Sequence, residues 1–170
     1  QVTELNTRPL TAVVLEGFMR PLMDSVNMVN APILARERNI DVSEIIHERE
    51  DDYNTLIRLN VKTKGGDLSI AGTLFSNQAP RIVSVMGIAL EAELASHMLY
   101  VANDDKPGFI GALGSLLGDA GVNIGTFNLG RDLGRERAIA LISVDQEVNA
   151  EDLEKVSALP HVRQVRSMSF

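Results

Sequence analysis

The segment Asn103-Asp104-Asp105-Lys106-Pro107-Gly108 holds the residue types in this chain best suited to chemistry. A glycine at 108 lets the backbone approach a ligand closely. The Lys-Pro-Gly run starts a helix, whose first turn offers free N–H groups and a positive dipole end that suit a carboxylate. Asp105 is placed to accept hydrogen bonds from an ammonium group. One loop thus combines an anion site with a partner for a cation, which is what a zwitterionic amino acid requires. Asn123, in Gly121-Val122-Asn123-Ile124, stands at the head of the next strand with an amide that both donates and accepts. On spacing alone, Asp105 could equally cap the helix and Asn123 shape a turn.

Other chemistries lack their residues. There is no cysteine, so disulfides and thiolate metal sites are excluded and a reducing compartment, the cytoplasm, fits. His47, His97 and His161 are far apart and lack the spacing of a zinc site, so no metal is expected. No phosphate-binding glycine loop and no nucleophile elbow occur, and no catalytic residue is assigned. A net charge of −7 argues against nucleic acid, whose binding needs clustered Lys and Arg. No apolar run approaches the roughly 20 residues that span a bilayer, and the N-terminus has no signal-peptide pattern. Gln1 is an odd first residue for a natural chain, which suggests sequence upstream.

The elements that must position the loop can be read from periodicity. Hydrophobic residues make up 45% and aromatics only 4%, so the cores must be aliphatic. After Asn6-Thr7-Arg8-Pro9, residues Leu10, Val13, Val14, Phe18 and Leu22 follow at helical spacing, with Pro21 ending or kinking the helix. A second helix is expected over Val26 to Arg38, with Val26, Val29, Ile33 and Leu34 as its apolar stripe. The charged run His47 to Asp52 reads as a solvated loop. The period then changes to two. Ile57, Leu59 and Val61 alternate with polar residues, Gly65-Gly66 turns a hairpin, and Met86-Gly87 turns another before Ile88, Leu90, Ala92 and Leu94. This predicts an antiparallel sheet with one dry face covered by the two helices.

The second half reads strand (98–103), helix (from 109), strand (122–129), polar turn (131–135), strand (138–144), helix (Asn149 cap to Ser157) and strand (162–168). That order is a ferredoxin-like βαββαβ unit. Gly111, Gly114 and Gly118 on its first helix are expected to permit close helix-to-sheet contact. The fold class is α+β in two domains, residues 1–95 with the helix-covered antiparallel sheet and residues 96–170 with the βαββαβ unit.

The stretch MLYVANDDKPGFIGALGSLLGDAGVNIGTFNLG, from Met98 to Gly130, resembles the ACT domain family of amino-acid-responsive regulatory modules: an apolar strand, Asp-Lys-Pro-Gly, an apolar helix, then Gly-Val-Asn-Ile. Together with PLTAVVLEGFMRPLM, VNAPILARERNI, IAGTLFSNQAPRIV and NLGRD, it resembles the intervening and ACT domains of the D-3-phosphoglycerate dehydrogenase family over nearly the whole chain. The resemblance implies a regulatory and oligomerisation fragment. The parent oxidises 3-phosphoglycerate with NAD at the start of serine biosynthesis, and in some members L-serine binds the ACT domain and inhibits. No cofactor is expected in this fragment, because the dinucleotide fingerprint and catalytic residues would lie upstream.

By the same resemblance, serine contacts fall on Asn103, Asp105 and Asn123, with the backbone of Lys106, Pro107, Gly108 and Phe109 nearby. The ligand commonly sits between subunits of a homo-oligomer, a dimer or tetramer, so Asn123 would face a partner's loop. The intervening domain is implied to bind a phosphorylated acid, for which Arg81, with Lys62 or Arg58, is the candidate site. Glu93 stands where a relative has Arg, which disfavours an anion there. Two other readings remain: the regulatory part of an L-serine dehydratase, and an ACT assembly module with no physiological ligand.

Overall fold

The computed structural model describes residues 7–46, 53, 55–76 and 78–170. The charged run at 47–52 lies outside the described residues. The chain divides into two compact units, Gln1–Glu50 and Asp51–Phe170.

The first unit holds helix α1 (Arg8–Met19), a 3-10 turn (Arg20–Leu22) carrying Pro21, and helix α2 (Ala31–Glu37). Helix α2 is shorter than its apolar pattern predicts. Asn27 accepts hydrogen bonds from the N–H groups of Val29 and Asn30, and Asn30 accepts one from the N–H of Asn27. These side chains give the backbone an alternative to the helix, which therefore begins only at Ala31. The core of the unit also differs from the expected stripes. Leu15, Met19, Val26, Ala31 and Ala35 cluster together, whereas Leu10, Val13, Phe18, Val29 and Ile33 are exposed. On α2 the buried residues are the alanines Ala31 and Ala35.

The second unit contains two four-stranded antiparallel sheets. Strands β1 (Ile57–Thr63), β2 (Gly66–Phe75), β3 (Ala79–Val85) and β4 (Ile88–Glu93) pair in sequence order. The hairpin between β3 and β4 turns through Met86 and Gly87, both at positive φ, as a tight two-residue turn requires. The second sheet holds β5 (His97–Asp104), β6 (Ile124–Asp132), β7 (Arg137–Val144) and β8 (Val162–Ser169) in the order β6-β7-β5-β8. Helices α3 (Phe109–Asp119) and α4 (Ala150–Ser157) follow β5 and β7, completing the ferredoxin-like βαββαβ unit.

Period-two alternation gives the second sheet two buried faces. Leu99, Val101, Ala140, Ile142 and Val165 pack against Phe109, Leu113, Leu117 and Val156 of the helices. Met98, Ile139 and Leu141 point the other way and pack against Ile82, Val85, Ile88, Leu90 and Ala92 of the first sheet. The β3–β4 half of that sheet's dry face therefore packs against the second sheet. Ile57, Leu68 and Leu74 on its β1–β2 half are exposed.

Helix α3 corrects one expectation. Phe109, Leu113 and Leu117 recur every four residues and are buried against the sheet. Gly111, Gly114 and Gly118 fall outside that stripe, and a Cβ added at any of them meets nothing within 4 Å. They do not mediate helix-to-sheet contact.

Candidate functional site

Strand β5 ends at Asp104, and the chain turns there into α3. Two carbonyls hold the turn. The N–H of Asp104 donates to the His161 carbonyl at 2.8 Å, and the N–H of Asp105 donates to the Glu136 carbonyl at 2.9 Å. Both acceptors are non-glycine residues in the left-handed region, His161 at φ 71° and Glu136 at φ 49°. Such backbone is costly unless its surroundings impose it. Gly108, at φ 97°, is the N-cap of α3, and no side chain caps the helix. Asp105 is therefore not a helix cap. The first-turn N–H groups of α3 retain their capacity for an anion.

The charged side chains of the loop are each claimed by a different element. Asp104 accepts from Arg163 of β8. Lys106 donates to Glu136 at 3.0 Å, and that hydrogen bond raises its pKa above the ordinary lysine range. Asp105 accepts from Nε of Arg131 with both oxygens, at 3.0 and 2.8 Å. Asn103 is 2% exposed. Its Nδ2 donates to the Asp104 carbonyl at 2.7 Å, while its Oδ1 is buried without a partner among the described residues.

Strand register explains how these groups meet. Asn103 lies opposite Ala138, and Ala138 lies opposite Arg131. Cross-strand partners share a face, so Asn103 and Arg131 stand in one row on the helix-covered side, at the N-terminal end of α3. Sequence reading missed Arg131 because it assigned residues 131–135 to a turn. Strand β6 in fact continues to Asp132. The signal was present: Phe127 and Leu129 alternate toward the helices, and Arg131 is the next residue in that phase.

Asn123 is elsewhere. Its Nδ2 donates to Asp145 at 2.9 Å, and its carbonyl accepts from the N–H of Asp145, joining the start of β6 to the end of β7. The register runs from Ile124↔Val144 to Asp132↔Arg137, so Asn123 and the 103–109 loop occupy opposite ends of the sheet. Eight residue steps at about 3.3 Å separate those ends by roughly 26 Å. Within one chain, the structure gathers Asn103, Asp105 and the turn of Lys106, Pro107, Gly108 and Phe109, but not Asn123.

The three basic residues singled out in the first sheet do not converge. Arg81 on β3 pairs with Glu93 at 2.6 Å and with Glu91 at 3.6 Å, and its guanidinium lies 4.6 Å from the Phe75 ring centre. Its Nε is buried without a partner among the described residues. Arg58 borders a separate hollow with Asn60, Ser69, Ser84 and Gly87. Lys62 lies opposite Asp67 at the hairpin end of β1.

No group of three or more His, Cys, Asp or Glu residues that could hold a metal occurs among the described residues. No helix there is long and apolar enough to cross a membrane. Every strand pair in both sheets is antiparallel, so the parallel βαβ crossover that cradles a pyrophosphate has no counterpart among the described residues.

The βαββαβ unit, with its glycine-opened loop between first strand and first helix, defines the class: residues 97–161 match the model of the ACT domain. Residues 1–86 match the model described as the D-3-phosphoglycerate dehydrogenase intervening domain. The chain belongs to the D-3-phosphoglycerate dehydrogenase family, of which it carries the intervening and ACT domains. It is similar to D-3-phosphoglycerate dehydrogenase of Bacillus subtilis (strain 168), at 31% identity over 97% of this chain and 32% of the relative. The enzyme of that name from Synechocystis is 33% identical over 93% of this chain and 29% of the relative. That from Methanocaldococcus jannaschii is 32% identical over 89% and 29%. The chain thus spans about a third of the length of the curated relatives it matches.

Proposed function

We propose that this chain is the regulatory and oligomerisation part of a D-3-phosphoglycerate dehydrogenase, and that its ACT domain binds L-serine as a feedback effector. In this reading the whole enzyme is cytoplasmic and oxidises 3-phosphoglycerate with NAD, at a site outside the described residues. The domain boundary falls between residues 95 and 96. The observation that carries the reading is the cluster at the head of α3. An anionic, largely buried Asp105 and an unpartnered buried Oδ1 on Asn103 lie beside uncapped helix N–H groups. Those groups suit an ammonium and a carboxylate held two bonds apart.

Asn123 completes the site from a second chain. Strand β6 is an edge strand, so its outer N–H and C=O groups are free to pair with a copy of itself. Antiparallel pairing of two β6 strands about a two-fold axis brings Asn123 of one chain toward the 103–109 loop of the other. Serine at that junction favours one arrangement of the oligomer. A coupling of about 1–3 kcal/mol changes activity several-fold or more.

Calorimetry of the 170-residue chain with L-serine, glycine and D-serine tests the reading. Selective binding of L-serine is expected. A folded, dimeric sample that binds none of the three overturns the sensor reading and leaves an assembly module, which the existing Asp105–Arg131 pair would suit.

A further inference from the structure

We propose that Arg131 is a binding residue of the loop site, its guanidinium taking the carboxylate of an α-amino acid whose ammonium rests on Asp105. The inference rests on the reading of that loop as an amino-acid site and adds to it the residue that selects for a carboxylate.

Three observations carry it. First, register puts Arg131 in the same cross-strand row as Asn103, on the face that α3 covers. Asp105 follows Asn103 by two residues, and its contact with Arg131 closes the cluster at the first turn of α3. Second, only Nε of Arg131 is used. Its two terminal nitrogens, the pair that matches a carboxylate in a bidentate fork, make no hydrogen bond among the described residues. The Arg131 side chain is 56% exposed while that of Asp105 is 15% exposed, so the fork is open to a ligand arriving from solvent. Third, the neighbouring cations are committed: Lys106 to Glu136 and Arg163 to Asp104.

The charge balance follows. The Asp105–Arg131 pair is neutral before a ligand arrives. An α-amino acid presents opposite charges whose centres are separated by about 2.5 Å, the span from N across Cα to the carboxyl carbon. It can oppose one charge to each member of the pair and leave the assembly neutral. An amine without a carboxylate covers Asp105 only and competes with Arg131 for it. The site is thereby tuned to the zwitterion rather than to its cationic half.

The test compares L-serine with L-serinamide, which keeps the ammonium and hydroxyl groups but has no carboxylate charge. Calorimetry is run on the chain and on Arg131→Gln, Arg131→Lys and Asp105→Asn, each first shown to melt cooperatively and to remain dimeric. The unsubstituted chain is expected to prefer serine to serinamide by about 10- to 100-fold, the range for a charge-assisted hydrogen-bonded pair. Arg131→Gln is expected to lose most of that preference by weakening serine alone, and Arg131→Lys to keep part of it. Asp105→Asn should weaken both ligands. Serine binding that is unchanged or tighter in Arg131→Gln, with Asp105→Asn still defective, overturns the role of Arg131 and leaves the loop site standing. Failure of the unsubstituted chain to bind serine removes the site and this inference together.

Discussion

A methyl group built on Gly130 would lie 2.6 Å from the carbonyl oxygen of Ala89. It would also lie 2.8 Å from Cγ2 of Ile88 and 3.2 Å from Cβ of Leu90. Strand β6 of the ACT sheet therefore passes β4 of the neighbouring sheet at a distance only glycine allows. Gly130 faces that sheet and the adjoining Arg131 faces the helices, so one dipeptide touches both the inter-sheet joint and the candidate site. Gly130→Ala is expected to destabilise the chain by about 1–3 kcal/mol through overpacking against backbone that cannot yield. Urea unfolding checks this. Gly114→Ala on the open side of α3 is the control, expected to be neutral or to stabilise by about 0.5–1 kcal/mol.

Leu113 is fully buried at the centre of the cluster beneath α3, between Phe109 and Leu117. Leu113→Ala removes three side-chain carbons and leaves a void. The expected cost is about 2–5 kcal/mol, measured as a fall in the unfolding midpoint with an unchanged denaturant slope.

Asn149 caps α4, its Oδ1 accepting from the N–H of Asp152 at 2.8 Å. Asn149→Ala is expected to cost about 0.5–2 kcal/mol, and Asn149→Ser to recover most of it. Equal destabilisation by both substitutions would place the role of Asn149 in packing instead.

The hydrogen bond from Lys155, with a further contribution from Asn149, holds the Asp152 carboxyl below the ordinary aspartate range. A carboxyl whose folded pKa is lowered contributes stability above its unfolded value, about 3.9, and loses it as pH falls through the folded value. Carboxyl NMR titration should therefore find Asp152 titrating below that value. Lys155→Ala should move it back up. An unmoved titration in that variant would show that the lysine is not the cause.

Asp105→Ala removes the acceptor that the proposed ammonium uses and also frees Arg131. Serine affinity is expected to fall by about 10-fold or more, the scale of a lost hydrogen bond to a charged group. Calorimetry at matched dimer concentration reads it, and unchanged affinity would remove the loop as the serine site.

Much of the architecture was legible because local rules write it. Period-two alternation from Ile57 onward, the Met86-Gly87 turn, Gly121 after α3 and the Asn149 cap all appear where residue type and spacing put them. The expected second helix over Val26–Arg38 failed for a local reason too, the paired asparagine turns at 27 and 30, whose strength apolar spacing does not report. Within the Asn103–Phe109 loop, Gly108 adopts the left-handed conformation that only glycine enters cheaply.

By itself, then, the sequence determined the α+β class, the βαββαβ order and the position of the glycine-opened loop, because each depends on neighbours within a few residues. Only the tertiary structure decided that Arg131 meets Asp105 across 26 residues, that Gly130 lies against Ala89, and that Asn123 stands at the far end of the sheet from the loop. Those relationships follow from which strands pair and in which register. Pairing is settled by the burial of two whole sheet faces at once, a collective property that no single spacing in the chain encodes.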